Sequence, residues 1–259
     1  MTASMERFIY LTDLHFGYER KAGHRVPLHD SKALSIALKF MADFKPDHVV
    51  LGGDMLDCAC ISHHNHGKPG AVEGFRLLGD AKELRKALIE PVEALTKKTL
   101  TYITGNHERW LQDLVDKIPA LEGMIDVRSV LSLSERWKVV PQGGAHMLGK
   151  LVFIHGDQIS GGDNAAKNAV ISYEKNVRLG HFHTYSSYTK TSCMEYKQAK
   201  TGLVVPCLCR RFPSYGKGKP NKWAQGLLYG YLLPGGGFHD YVAVITDGKT
   251  VINGKEYRG

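Results

Sequence analysis

Five times along this chain a short run of apolar residues stops abruptly at Asp, His or Asn, and this repeated ending constrains the fold more than any other feature. Residues 8–12 lead into Asp13-Leu14-His15-Phe16-Gly17, residues 48–51 into Gly52-Gly53-Asp54-Met55-Leu56-Asp57, and residues 101–104 into Gly105-Asn106-His107-Glu108. Residues 148–154 lead into His155-Gly156-Asp157, and residues 176–179 into Gly180-His181-Phe182-His183. Runs of this length read as strands. Between the first two lie Leu34, Leu38, Met41 and Phe44, spaced along one helical face, with Asp30 or Ser31 as cap and a stop before Pro46. Strand, helix, strand is the unit of a parallel sheet, so Asp13 and Asp54 are expected at the same sheet end. Asp13 and His15, two apart, point to one side because strand side chains alternate. Gly105 lets the chain turn sharply and present an amide and an imidazole side by side.

Other stretches are simpler. Residues 72–97 read as helical with a kink or break at Pro91. Residues 107–137 read as mostly helical, with Leu111, Leu114 and Ile118 as packing residues. The loop around 58–70 carries His63, His64 and His66; neighbouring histidines point apart, so it reads as a solvated, substrate-side loop rather than a metal cluster. Residues 138–140 add a strand. Beyond Thr184 the texture becomes β-type, over 185–193, 195–210 and 241–253, with a turn at Asp247-Gly248.

A length of 259 residues suits one large core. The expected organisation is a single domain over 1–259, with a motif-bearing core at 7–185 and a β-rich basic part at 186–259 packed on it. Residues 1–173 carry 21 basic and 21 acidic residues, and the remainder 13 against 5, so the whole net charge of +8 lies in the last third. There, Arg210, Arg211, Lys217, Lys219 and Lys222 alternate with Phe212, Tyr215 and Trp223 in a Gly/Pro-rich loop. Cations neutralise phosphates and rings stack on bases, which makes this loop the expected contact for a nucleic acid. Cysteines 58, 60, 193, 207 and 209 form neither a disulfide framework nor a C-x-x-C site, and are expected as small buried apolar residues in a reducing compartment. A short polar start and no apolar run near 20 residues imply an unexported, cytoplasmic chain with no membrane partner.

The ordered set Asp-x-His, Gly-Asp-x-x-Asp, Gly-Asn-His-Glu, His-Gly and Gly-His-x-His resembles the calcineurin-like metallophosphoesterase superfamily over residues 7–185. The resemblance implies an α/β (α+β) fold, a four-layer α-β-β-α sandwich with a two-sheet core and a dinuclear metal site at the strand ends. It implies one ion on Asp13, His15, Asp54 and His183, and a second on Asp54, Asn106, His155 and His181. Two divalent ions about 3.5–4 Å apart repel, and a shared Asp54 with a bridging hydroxide, the nucleophile, relieves that repulsion. Oxygen and imidazole ligands suit Mn²⁺, Fe²⁺ or Zn²⁺, with Mn²⁺ favoured by the family. His107 is implied as the acid that protonates the leaving oxygen, with Asp57 orienting it.

Three departures narrow the reading. Cys58-Ala59 stands where protein Ser/Thr phosphatases have Arg-Gly, and His107 stands where some small bacterial phosphodiesterases have Cys. In style the motifs resemble nuclease subunits of the SbcD type and phage or prophage phosphoesterases, without the long C-terminal extension that would hold an ATPase partner. The expected function is a metal-dependent phosphodiesterase acting on DNA or RNA, with no ATPase partner required. The alternatives are a phosphomonoesterase on nucleotides or small phosphates, and a non-catalytic protein-binding scaffold.

Overall fold

The computed structural model describes residues 4–65, 67–194, 199–216 and 219–259. Its first sheet has the order Phe238–Ile245, Gln225–Leu232, Glu6–Leu11, His48–Leu51, Thr99–Ile103, Trp137–Val140. The last four strands are parallel to one another, and Gln225–Leu232 runs antiparallel between Glu6–Leu11 and Phe238–Ile245. A second sheet has the order Ser186–Lys190, Lys200–Val204, Asn176–Leu179, Leu151–Ile154, His146–Leu148.

The apolar runs are unbroken because the first sheet is covered on both faces. From Glu6–Leu11, Phe8 and Tyr10 point into the layer between the sheets, where Phe153 meets both rings at 5.8 and 5.4 Å. Ile9 and Leu11 point the other way, into the layer shared with the helices. Each such burial contributes about 1.5–3 kcal/mol. On the outer face of the second sheet, Ala165, Ala166, Ala169 and Val170 of helix Ala165–Tyr173 pack on Val152, Ile154, Val177 and Leu179. The layers are helix, sheet, sheet, helix, and the four-layer α-β-β-α expectation holds.

Helix Ser31–Phe44 starts where the sequence places it: the Asp30 carboxylate accepts from the amides of Lys32 and Ala33, a cap worth about 1 kcal/mol. Pro91 does not break its helix. Leu77–Leu84 continues through a π turn at Arg85–Ile89 into Glu90–Leu95, and the Glu90 amide donates five residues back to Arg85. The wider turn absorbs a residue that has no N–H to give.

Several strands escape the sequence reading, Lys255–Arg258 among them. Gln225–Leu232 is buried beside Glu6–Leu11, yet its glycines weaken any strand signal. Gly230 is there for space: a Cβ would stand 2.6 Å from the Phe8 ring and 2.4 Å from the His239 carbonyl. The hairpin Tyr18–Lys21 and His24–Pro27 is polar and largely exposed, so no apolar period marks it. Among the described residues no helix is long and apolar enough to cross a membrane.

Candidate functional site

Parallel pairing brings the carboxyl ends of Glu6–Leu11, His48–Leu51 and Thr99–Ile103 together, and the loops that follow are laced to one another. The amides of Asp13 and His15 donate to the carbonyls of Gly53 and Asp54 at 3.1 and 2.8 Å, and Gly180 donates to His155 at 2.7 Å. Contact is close enough to demand glycine: a Cβ on Gly105 would lie 2.2 Å from Asp54 Oδ1, and one on Gly180 2.0 Å from Thr12 Oγ1. Asp13, His15, Asp54, His181 and His183 all adopt left-handed backbone, with φ of 54°, 48°, 51°, 67° and 57°. Each costs on the order of 1–3 kcal/mol and persists only where the surroundings over-determine it.

Those side chains form two adjoining clusters, Asp13 with His15 and His183, and Asp54 with His155 and His181. In the first, His15 Nε2 and His183 Nε2 face each other at 3.2 Å, and Asp13 Oδ1 lies 3.2 Å from His183 Nε2. His15 Nδ1 is taken by Asp57 Oδ1 at 2.9 Å, and His183 Nδ1 lies 3.7 Å from Cys209 Sγ. With those ring nitrogens carrying the protons, two imidazole lone pairs and the buried, unpartnered Asp13 Oδ1 aim at one place. In the second, His155 Nδ1 donates to the Gly52 carbonyl at 2.8 Å, which leaves Nε2 facing Asn106 Oδ1 at 3.1 Å and Asp54 Oδ2 at 3.4 Å. His181 Nδ1 meets the same Asn106 oxygen at 2.9 Å. Acceptors converging on acceptors fit a cation, and both clusters pass that test. Asp54 lies between them, its Oδ2 3.8 Å from His15 Nε2.

His107 stands beside this array, half-buried. Its amide donates to Asp54 Oδ1 at 2.9 Å and its Nδ1 to the Asp57 carbonyl at 2.8 Å, with Asp57 Oδ1 3.3 Å away. Burial disfavours the imidazolium, but Asp54 and then Asp57 outweigh it and push His107 up to about 10. Burial likewise works against the Asp57 carboxylate, and hydrogen bonds from His107 and His15 bring it down to about 2. Asp13 reaches about 2 in the same way, against burial and through His183.

Three contributors were not singled out in the sequence. Glu108, almost wholly buried, accepts the amides of Asp54, Met55, Leu56 and Gly105 at 2.7–3.0 Å and the Tyr102 hydroxyl at 2.7 Å. It ties the second and third loops together; its place at the third helical position after Gly105, where a capping carboxylate sits, was the available signal. Trp110 packs on His107, ring centres 4.3 Å apart. Cys209, expected as a filler, touches His183; burial, then Cys207, pushes its thiol well above the ordinary range and keeps it neutral.

The expected basic loop is placed in part. Trp223 lies against His183 at 4.1 Å. Arg210 donates to the Pro27 carbonyl at 3.2 Å and Arg211 to that of Trp223 at 2.9 Å. Lys222 pairs with Asp163 at 2.5 Å, and Lys219 is exposed. Lys217 lies outside the described residues, as does His66 of the histidine loop.

The calcineurin-like phosphoesterase family model matches residues 6–201, so the chain belongs to that family. The family implies a dinuclear divalent metal centre, and the two clusters bring its kinds of ligand together. The chain is 28% identical over 173 residues to the gene 54 protein of Mycobacterium phage D29, an alignment covering 61% of this chain and 66% of that protein, just under two thirds of its length. Among solved structures it is similar to Vps29 of Chaetomium thermophilum, at 10% identity and a TM-score of 0.43, covering 93% of this chain and 98% of that one. It is also similar to a dimetal phosphatase of Danio rerio, at 10% identity and a TM-score of 0.39, covering 88% and 93%.

Proposed function

We propose that the chain is a metal-dependent phosphodiesterase acting on nucleic acid. The observation that supports this choice is a row of five rings, Trp223, His183, His15, His107 and Trp110, with successive centres 4.1, 5.0, 4.5 and 4.3 Å apart. The polar groups that would face phosphorus occupy the middle, and an indole stands at each end. A monoester carries an organic group on one side of phosphorus only, whereas a diester carries one on each. A base stacked on an aromatic ring gains about 1–3 kcal/mol.

In this reading Asp13, His15, Asp54 and His183 would hold one ion, and Asp54, Asn106, His155 and His181 the other. Bound Mn²⁺, or Fe²⁺ or Zn²⁺, supplies Lewis-acid stabilisation of charge on the phosphoryl oxygens. His107, its Nδ1–H held by the Asp57 carbonyl, turns Nε2 toward the leaving oxygen and protonates it. Asp57 positions His15 and His107 at once. Arg210, Arg211, Lys217, Lys219 and Lys222 would follow the phosphate backbone of a longer substrate.

One panel tests the reading: Mn²⁺-loaded protein against bis(p-nitrophenyl) phosphate, p-nitrophenyl phosphate, and single- and double-stranded oligonucleotides. The diester and an oligonucleotide should be hydrolysed, and the monoester about tenfold more slowly or worse. Preference for the monoester would replace this reading with a phosphomonoesterase, and inertness toward all would favour a binding scaffold.

A further inference from the structure

A cavity of about 570 Å³ opens beside the ring row at its Trp110 end, with His107 and Asp57 among its lining residues. That is the size class of a pocket for one small organic molecule. Its walls are apolar and aromatic: Tyr18, Leu28, Val72, Phe75 and Trp110. The walls are held in place from behind. Arg25 lies 3.4 Å over the Tyr18 ring while its guanidinium pairs with Asp80 at 2.6 Å. The Glu19 carboxylate accepts the Ser214 amide at 2.8 Å, fastening the Tyr18–Lys21 hairpin to the loop that follows Arg211. Trp110 is pinned between His107 and the His63 and His64 rings, at 5.7 and 5.9 Å.

The charge at this cavity is also selective. Among the described residues its carboxylates are Glu19 and Asp57 and its basic groups Arg20 and His107; Arg20 is already engaged by the Glu73 carbonyl at 3.1 and 3.2 Å and by the Glu73 carboxylate at 3.7 Å, and His107 by Asp57 Oδ1 at 3.3 Å. An apolar chamber whose basic groups are already taken accepts a flat, uncharged group and, among the described residues, offers a phosphate no free cation.

We infer that this cavity is the leaving-group subsite and takes a single uncharged nucleoside, its base between the aromatic walls. The inference rests on the diesterase reading, because the group departing toward His107 is the one whose oxygen His107 protonates. In the step, the bond from phosphorus to that oxygen breaks, water supplies the new oxygen on phosphorus, and the nucleoside leaves as an alcohol carrying the proton from His107. A nucleoside bearing a further phosphate fits poorly, so the enzyme would cut at a chain end that lacks a terminal phosphate.

The test has a binding arm and a hydrolysis arm. Metal-free protein is titrated with adenosine and with adenosine monophosphate, followed by calorimetry; adenosine should bind saturably and the monophosphate about tenfold more weakly. Ala71→Trp, on the exposed side of the cavity wall, should weaken adenosine about tenfold or more by filling the space a base needs. Mn²⁺-loaded protein is then given dinucleotides whose leaving nucleoside is bare or carries a terminal phosphate. The bare substrate should win by about tenfold in kcat/KM, and Glu19→Gln, a milder change than Ala71→Trp, should narrow that ratio. Adenosine that fails to bind wild-type protein, or binds Ala71→Trp equally well, overturns the subsite. Adenosine bound in the cavity without hydrolysis of any dinucleotide leaves the subsite standing and removes the diesterase reading. Hydrolysis indifferent to Ala71→Trp and to the terminal phosphate does the reverse.

Discussion

The strand-end clusters and the basic loop meet at Trp223, and they are built in opposite ways. In the clusters side chains are held from several directions: Asp13 by the Thr12 hydroxyl at 2.7 Å and the His181 amide at 2.9 Å, His155 by the Gly52 carbonyl of the loop after His48–Leu51, and the loops themselves by Glu108. In the loop, Arg211, Lys219 and Lys222 are exposed, and the bonds made by Arg211 and Lys222 go to a loop carbonyl and to the exposed Asp163. Ions demand ligands already in position, since any reorganisation subtracts from affinity, whereas a polymer backbone is met well by cations that can adjust. Substitutions in the first region should therefore change stability or chemistry, and those in the second only the response to long, charged substrates.

The largest effect is expected at Glu108. Glu108→Ala strands four buried amides, and stability should fall by about 3–5 kcal/mol, read as a clear drop in Tm. A Tm within a degree or two of wild type would mean that the loops hold without it.

His107→Ala should keep the fold and the metal content but slow hydrolysis by about 10²–10⁴ for alkoxide leaving groups, with far less loss for nitrophenolate, which needs no proton. Equal losses on both substrates would remove His107 from the role of acid.

Reversal of Arg210, Arg211 and Lys219 to Glu should raise KM for an oligonucleotide about tenfold at low salt and flatten its salt dependence, leaving a small diester unaffected. Equal effects on the two substrates would place the loop with the rigid region.

The smallest effect separates the clusters from the core by pH. Burial, then Lys138, lowers His146 to about 4, below its ordinary 6.5. The folded chain binds that proton less readily than the unfolded one, so stability is whole above pH 6.5 and falls as pH drops toward 4. His146→Leu should make the fall in Tm across that window less steep, since burial also lowers His29 and leaves it to titrate there. Asp13 and Asp57, at about 2 against 3.8, act lower: their contribution in the metal-free protein is present above 3.8 and lost as pH falls through 2. A Tm profile of His146→Leu that declines between 6.5 and 4 as steeply as that of wild type would show that His146 does not titrate there.

Much of this contrast was readable in advance, for a physical reason. A side chain that follows directly on an apolar run is placed by the strand itself, so the candidates Asp13, Asp54, Asn106, His155 and His181 could be named from local sequence. Asp30 was readable as a cap because its partners are two and three residues away. Glu108 was not, since its carboxylate serves amides more than 50 positions distant as well as its own turn. Trp110 falls in a stretch that periodicity marks only as helical, and nothing local reveals that it walls a cavity. Gln225–Leu232 was hidden by the glycines that let it approach Phe8.

The central claim is that one carboxylate, Asp54, serves two ions while each other ligand serves one, and metal analysis of purified variants tests it most directly. Wild-type protein should carry two tightly bound divalent ions, His15→Ala should keep one, and Asp54→Ala should lose the dinuclear centre altogether while remaining folded by circular dichroism. Two tightly bound ions in Asp54→Ala would contradict the account.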